Sequence, residues 1–188
     1  MSKLYFRYGT MNSGKSIEIL RVAHNYTERG MSPLLLKPTV DTLGDNKVHS
    51  RVGISQEAHL VYHDDDLSEL YKDCDCILVD EAQFLTEQQV DQLMTCTFHN
   101  TPVLCYGLRT DFTTHMFSGS KRLMEIAHSI EEIKTICMCG NKATISARVD
   151  SYGSIIIDGE QVHIENLDDP QYVSLCAQCY DKQTHMWD

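Results

Sequence analysis

No stretch of this sequence approaches the run of about 18 consecutive apolar residues that a membrane-spanning helix needs, and no internal repeat or low-complexity tract interrupts it. The opening residues Met1-Ser2-Lys3-Leu4-Tyr5-Phe6-Arg7 also lack the long apolar core of a secretory signal. A soluble, cytoplasmic protein without a membrane partner is therefore expected. Positive charge is scarce: 16 Lys plus Arg stand against 27 Asp plus Glu, a formal net charge of −11. Such a surface repels a phosphate backbone over most of its extent, which argues against polymeric nucleic acid as a partner. A small anionic ligand is not excluded, because backbone amides bind anions locally whatever the net charge.

What is present is enough for a core. The chain has 188 residues, of which 42% are hydrophobic, and this suits one domain of about 100 to 150 residues with a small appended unit. Leu4-Tyr5-Phe6-Arg7-Tyr8 is rich in strand formers, and residues 15–29 read as a helix with Ile17, Leu20, Val22 and Ala23 as its apolar positions, stopped by Gly30. Leu34-Leu35-Leu36, Leu60-Val61-Tyr62, Cys76-Ile77-Leu78-Val79 and Val103-Leu104-Cys105-Tyr106 are short apolar runs without strict alternation. Strands of a parallel sheet covered on both faces have that look. Thr86-Glu87-Gln88-Gln89 has the form of a capping box ahead of Val90, Leu93 and Met94, and residues 119–128 read as a further helix. Asp64-Asp65-Asp66 reads as a helix start. After about Ile133 the pattern changes to cysteine pairs, short strands and turns, so the expected division is 1–133 and 134–188.

Between the first strand and the first helix lies Gly9-Thr10-Met11-Asn12-Ser13-Gly14-Lys15-Ser16, a complete G-x-x-x-x-G-K-[ST] phosphate loop in the context that confirms the motif. Its glycines let the backbone curl so that amides face the phosphates, and the helix N-terminus adds a favourable dipole. Lys15 is the point charge for the β and γ phosphates, and the Ser16 hydroxyl is placed to ligate Mg²⁺. The fold class expected is α/β, a phosphate-loop NTPase-like parallel sheet with helices on both faces, and ATP is the expected nucleotide.

The run at residues 76–79 ends in Asp80-Glu81. Ligands of open parallel sheets gather at the carboxyl ends of strands, so both acids are expected beside the phosphate loop. Asp80 fits a carboxylate that holds Mg²⁺ through water. Glu81 has the chemistry of a general base toward an attacking hydroxyl, and equally of a group that positions water.

Eight cysteines occur without a signal for export, which favours metal binding over disulfides. Cys137-Met138-Cys139 and Cys176-Ala177-Gln178-Cys179 are two close pairs, and four thiolates make a closed, structural zinc site. Cys74-Asp75-Cys76 is a rival pair, but it leads into a core strand, where cysteine behaves as a small hydrophobe. No histidine has a helical i, i+4 histidine partner that would add a metal site, since His59 and His63 flank the strand-like run Leu60-Val61-Tyr62.

Taken with the segments Val79-Asp80-Glu81-Ala82-Gln83-Phe84 and Leu108-Arg109-Thr110-Asp111-Phe112, these motifs make the chain resemble, nearly end to end, the zinc-containing thymidine kinases, the class that includes the cytosolic enzyme. The resemblance implies transfer of the γ-phosphoryl of ATP to the 5′-hydroxyl of thymidine with Glu81 as proton acceptor, a homotetramer, and inhibition by thymidine triphosphate. It also implies that Gln83 belongs with the nucleotide-binding residues and that Asp41, Phe84, Leu108, Phe112, Phe117 and Tyr172 line or support the nucleoside pocket. The small C-terminal module would then be a zinc-ribbon and lasso, its loop closing over the nucleoside.

Two departures from the family pattern stand out. Leu43 occupies a place where the family usually has arginine, so Arg51 or Lys47 is left to aid the transferring phosphoryl. The segment from Ile164 to Tyr172 is longer and lacks the family's Gly-Gly, which bears on the choice among pyrimidine nucleosides. The rival readings are a phosphate-loop hydrolase or switch, whose strand-end acid positions water, and a zinc ribbon that docks nucleic acid, which the charge opposes.

Overall fold

In chain order the elements are β1 (Leu4–Tyr8), α1 (Lys15–Thr27), β2 (Pro33–Pro38), β3 (Lys47–His49), β4 (Ser55–Glu57), β5 (His59–Val61), β6 (Cys76–Val79), α2 (Glu87–Phe98), β7 (Val103–Gly107), α3 (Ser118–Ile126), β8 (Ser129–Glu132), β9 (Thr135–Ile136), β10 (Lys142–Ala143), β11 (Ile145–Val149), β12 (Ile155–Ile156), β13 (Gln171–Leu175) and α4 (Ala177–Thr184). The structure is a computed structural model and describes residues 1–39, 46–159, 161 and 171–187. No helix among the described residues is long and apolar enough to cross a membrane.

Six strands form one parallel sheet in the order β5-β2-β6-β7-β1-β8. Every residue of the central strands β6 and β7 is buried, which is why their sequences run apolar without alternating. Successive side chains of a strand point to opposite faces, and the two faces carry separate cores. Leu4, Phe6, Ile77, Val79, Val103 and Cys105 face α2 and α3 through Val90, Leu93 and Leu123. Cys76, Leu78, Leu104 and Tyr106 face α1 through Ile19, Leu20 and Ala23, with Val48 of the β3–β4 hairpin joining them. Each Leu, Ile, Val or Phe among them contributes about 1.5–3 kcal/mol by leaving water.

The C-terminal part has its own frame. β9 and β10 form a two-stranded hairpin, and β12-β11-β13 form an antiparallel sheet on which α4 packs. Its core is small: Cys137, Ala143, Ile145, Ala147, Leu175, Cys176 and Tyr180.

Parallel pairing puts the carboxyl ends of β1, β6 and β7 on one rim. Leu4 to Tyr8 pair in order with Val103 to Gly107, and Val79 pairs with Cys105. The loop after Tyr8, the acids after Val79 and Leu108 after Gly107 therefore converge.

Some local expectations are corrected. The acids at 64–66 start no α-helix: Asp65 Oδ2 accepts from the Tyr62 amide at 2.7 Å and Asp66 Oδ1 from the Ser68 amide at 2.9 Å, and only a single 3₁₀ turn follows at Leu70–Lys72. These carboxylates satisfy turn amides in place of a helix terminus. The helix read at 119–128 ends at Ile126, because β8 starts at Ser129 and pairs with β1. In α1, Ile17 points outward and Ile19 takes the buried position. The capping box at Thr86 and Gln89 forms as read.

Candidate active site

The phosphate loop owes its shape to backbone constraints at its glycines. A Cβ on Gly9 would lie 2.6 Å from the Ile133 carbonyl oxygen, and Gly14 has φ +91°, where L side chains are strained. Asn12 also takes a left-handed conformation, at φ 64°. The α1 N-cap is Gly14, without a side-chain cap, so the first helical amides have no partner of their own and point toward an incoming anion. Lys15 is buried, and its Nζ donates to the Thr10 carbonyl at 2.9 Å and the Gly9 carbonyl at 3.4 Å. Burial lowers its pKa, while Glu81 and Asp80 pull it upward and Arg51, on the β3–β4 hairpin, pushes it down. Arg51 thus stands within electrostatic reach of the loop. The hydroxyls of Thr10 and Ser13 are buried without hydrogen-bond partners.

On the neighbouring rim, Asp80 is 4% exposed and its Oδ1 has no hydrogen-bond partner. Burial, followed by repulsion from Glu81, pushes its carboxyl up to about 7. A buried, orphaned carboxylate oxygen beside Lys15 and the Ser16-bearing helix start is a hard-oxygen donor set that suits Mg²⁺. Glu81 follows in the left-handed region, φ 51°, a conformation that costs about 1–3 kcal/mol and that tends to cluster at functional sites. The bend turns Glu81 off the strand, where it is only partly buried. Gln83, 1% exposed, donates from Nε2 to Glu81 Oε2 at 2.5 Å and accepts at Oε1 from the Leu108 amide at 3.0 Å. Its side chain lies inside the protein, between Glu81 and the Leu108 amide.

The residues expected at the nucleoside pocket fall into two groups. Phe84 and Phe117 meet edge to face, centroids 5.5 Å apart. Phe112, almost fully buried, lies under the Arg148 guanidinium at 5.2 Å from its ring centre, and its carbonyl accepts from the Tyr180 hydroxyl at 3.2 Å. Leu108 joins the first group through Gln83. Tyr172 lies on β13, opposite Arg148 in the strand register. Asp41 and Leu43 lie outside the described residues, as do residues 162–170.

The cysteine quartet is assembled. The Sγ atoms of Cys137, Cys139, Cys176 and Cys179 all lie within 4.8 Å of one another, and Cys139 and Cys176 are 3.6 Å apart. Four thiolates around zinc at about 2.3 Å stand about 3.8 Å from each other in a tetrahedron, so the donor set fits. Backbone amides draw the thiols of Cys137, down to about 6, and Cys176 below the usual range, while hydrogen bonds to the other three sulfurs push Cys179 up to about 12, as in a cluster that shares its protons. At Cys76 and Cys74 the first cause is burial, which pushes them up to about 12 and about 11, the behaviour of core thiols.

Sequence reasoning missed several participants. Ser146 and Ser174 reach Met11 of the phosphate loop, Arg109 Nη2 approaches the Thr144 carbonyl at 3.5 Å, and Asp111 accepts from Gln161 at 2.8 Å. All four contacts join Met11, Arg109 and Asp111 to residues 144–174. No motif flags serines on short strands, and only three-dimensional proximity reveals them.

Comparison with known proteins agrees with this geometry. The sequence model of the thymidine kinase family matches residues 2–180. The chain is 46% identical over 192 residues to the thymidine kinase of Enterobacteria phage T4, covering 98% of each chain. It is 45% identical to that of Mannheimia succiniciproducens, covering 98% of this chain and 97% of the relative, and 46% identical to that of Vibrio cholerae, covering 96% and 97%. With the phosphate loop, the acid pair and the cysteine quartet in place, the chain belongs to the thymidine kinase family.

Proposed function

We propose that Glu81 is the general base of an ATP-dependent nucleoside kinase that moves the γ-phosphoryl of ATP to the 5′-hydroxyl of thymidine. The activity follows from family membership; the residue roles are our reading. In it, the loop amides and Lys15 hold the triphosphate. The 5′-hydroxyl oxygen attacks the γ-phosphorus, its proton passes to a Glu81 carboxylate oxygen, and the bond to the β-phosphate oxygen breaks to release ADP and thymidine monophosphate. Ser16, and Asp80 through water, would hold Mg²⁺, which would supply charge neutralisation for the phosphates. The observation that carries the base assignment is the Gln83 hydrogen bond, which fixes one Glu81 oxygen and leaves the other for the substrate proton.

On the acceptor side, Phe84, Leu108, Phe112, Phe117, Tyr172 and Asp41 are proposed to bind the nucleoside, and Arg51 to stand in for the arginine that Leu43 replaces. Residues 1–133 would act as the kinase domain and 134–188 as the lasso domain, stapled by a structural zinc ion on the quartet. Assembly as a homotetramer, inhibition by thymidine triphosphate and a cytoplasmic setting belong to the same reading, supported by the resemblance.

Transfer of radiolabelled phosphate from ATP, measured across thymidine, deoxyuridine, deoxycytidine and deoxyadenosine, tests the substrate. Glu81→Gln should bind ATP normally yet lose about 10²- to 10⁴-fold in kcat. Near-normal turnover by this variant removes Glu81 from the base role.

A further inference from the structure

The phosphate loop is held from outside by a pair of serines. The Met11 amide donates to Ser146 Oγ at 3.0 Å, and the Met11 carbonyl accepts from Ser174 Oγ at 2.5 Å. Ser146 on β11 and Ser174 on β13 are direct partners in the antiparallel register, so one face of that strand pair presents two hydroxyls side by side. They satisfy both polar groups of a single loop residue. Ser146 is buried, and a loop residue gripped at both groups has little freedom to change its backbone dihedrals.

The grip has a structural address. β13 ends at Leu175, immediately before Cys176, and Leu175 pairs with Ile145 beside Ser146. The strand pair that holds Met11 is therefore closed, one residue away, by the cysteine quartet. Met11 is in turn followed by Asn12 in its left-handed conformation and by the amides that face the phosphates.

We propose that Ser146 and Ser174 are positioning residues for the nucleotide: they fix the outer edge of the phosphate loop, so that the cysteine-stapled module sets the loop's ATP-binding shape from a distance. This deepens the kinase reading above and rests on it for the reaction, though not for nucleotide binding.

The test is the double variant Ser146→Ala, Ser174→Ala of the full chain, with ATP and ADP binding measured by calorimetry in the absence of nucleoside. Loss of two hydrogen bonds that preorganise the loop should weaken both nucleotides about tenfold. KM for ATP should rise with that loss while KM for thymidine changes little. Ser146→Thr with Ser174→Thr, which keeps both hydroxyls, should restore most of the affinity. Unchanged nucleotide affinity in a folded alanine variant overturns the proposal, and so does a rise confined to KM for thymidine. Failure of the wild-type chain to phosphorylate any nucleoside would sink the kinase reading instead, and the binding measurement would still judge the serines. If the alanine pair fails to fold, the single variant Ser174→Ala, which leaves Ser146 in place, gives the same readout at about a third of the effect.

Discussion

The six-stranded sheet and the C-terminal module solve the same problem with different materials. The sheet buries two apolar layers, one on each face. The module has a single small cluster, and two of its seven buried members are themselves cysteines of the quartet. A unit that small rarely holds itself by apolar burial alone. The contrast teaches that the two parts report on different variables: the first on side-chain fit, the second on the state of its thiols and, in the proposed reading, of their metal.

The sharpest way to break the comparison is to take the metal away. With zinc in the quartet as proposed, Cys179→Ser or strong chelation should abolish amide protection across β11, β13 and α4 while β6 and β7 stay protected, because binding of a structural zinc ion is itself folding free energy. Hydrogen exchange resolved by segment reads this directly. Equal loss in both regions would mean that the sheet leans on the module after all. A smaller effect is expected from steric fit inside the sheet domain. A Cβ on Gly119 would stand 2.6 Å from the Leu85 carbonyl, 2.8 Å from that of Ala82 and 2.9 Å from that of Gln83. Gly119→Ala should therefore push α3 off the turn that carries Gln83, costing about 2 kcal/mol in urea unfolding and lowering kcat as Glu81 loses its orientation. The module's zinc content should not change. The smallest effect is local: Thr86→Ala removes the side chain that accepts from the Gln89 amide at 3.1 Å and should cost about 1 kcal/mol. Gln89 keeps its bond to the Tyr62 carbonyl, so activity should be preserved.

The two regions also differed in how far they could be read from residues alone. Central strands were legible because burial on both faces makes them continuously apolar, and the phosphate loop because its two glycines, Lys15 and Ser16 stand at fixed spacing between a strand and a helix. The edge strand β8 escaped notice: Ser129-Ile130-Glu131-Glu132 pairs with β1 at the margin of the sheet and is only partly buried, without an apolar run. The acids at 64–66 misled for the opposite reason, since a carboxylate satisfies the amide of a turn as readily as that of a helix end. The quartet was legible from spacing, which survives any fold that closes the two pairs. Gln83 was grouped with the nucleotide-binding residues by resemblance, and its side chain hydrogen-bonds Glu81 and the Leu108 amide. Amide side chains carry no periodic signature, so their partners emerge only in three dimensions.

Lys15 gives the phosphate loop a last property. Its ammonium is already bonded to the Thr10 and Gly9 carbonyls, so a nucleotide that recruits it performs an exchange rather than an addition. In the proposed reading, the affinity for ATP is then the difference between two hydrogen-bonded states of the same cation, smaller than the bare attraction of ammonium for phosphate.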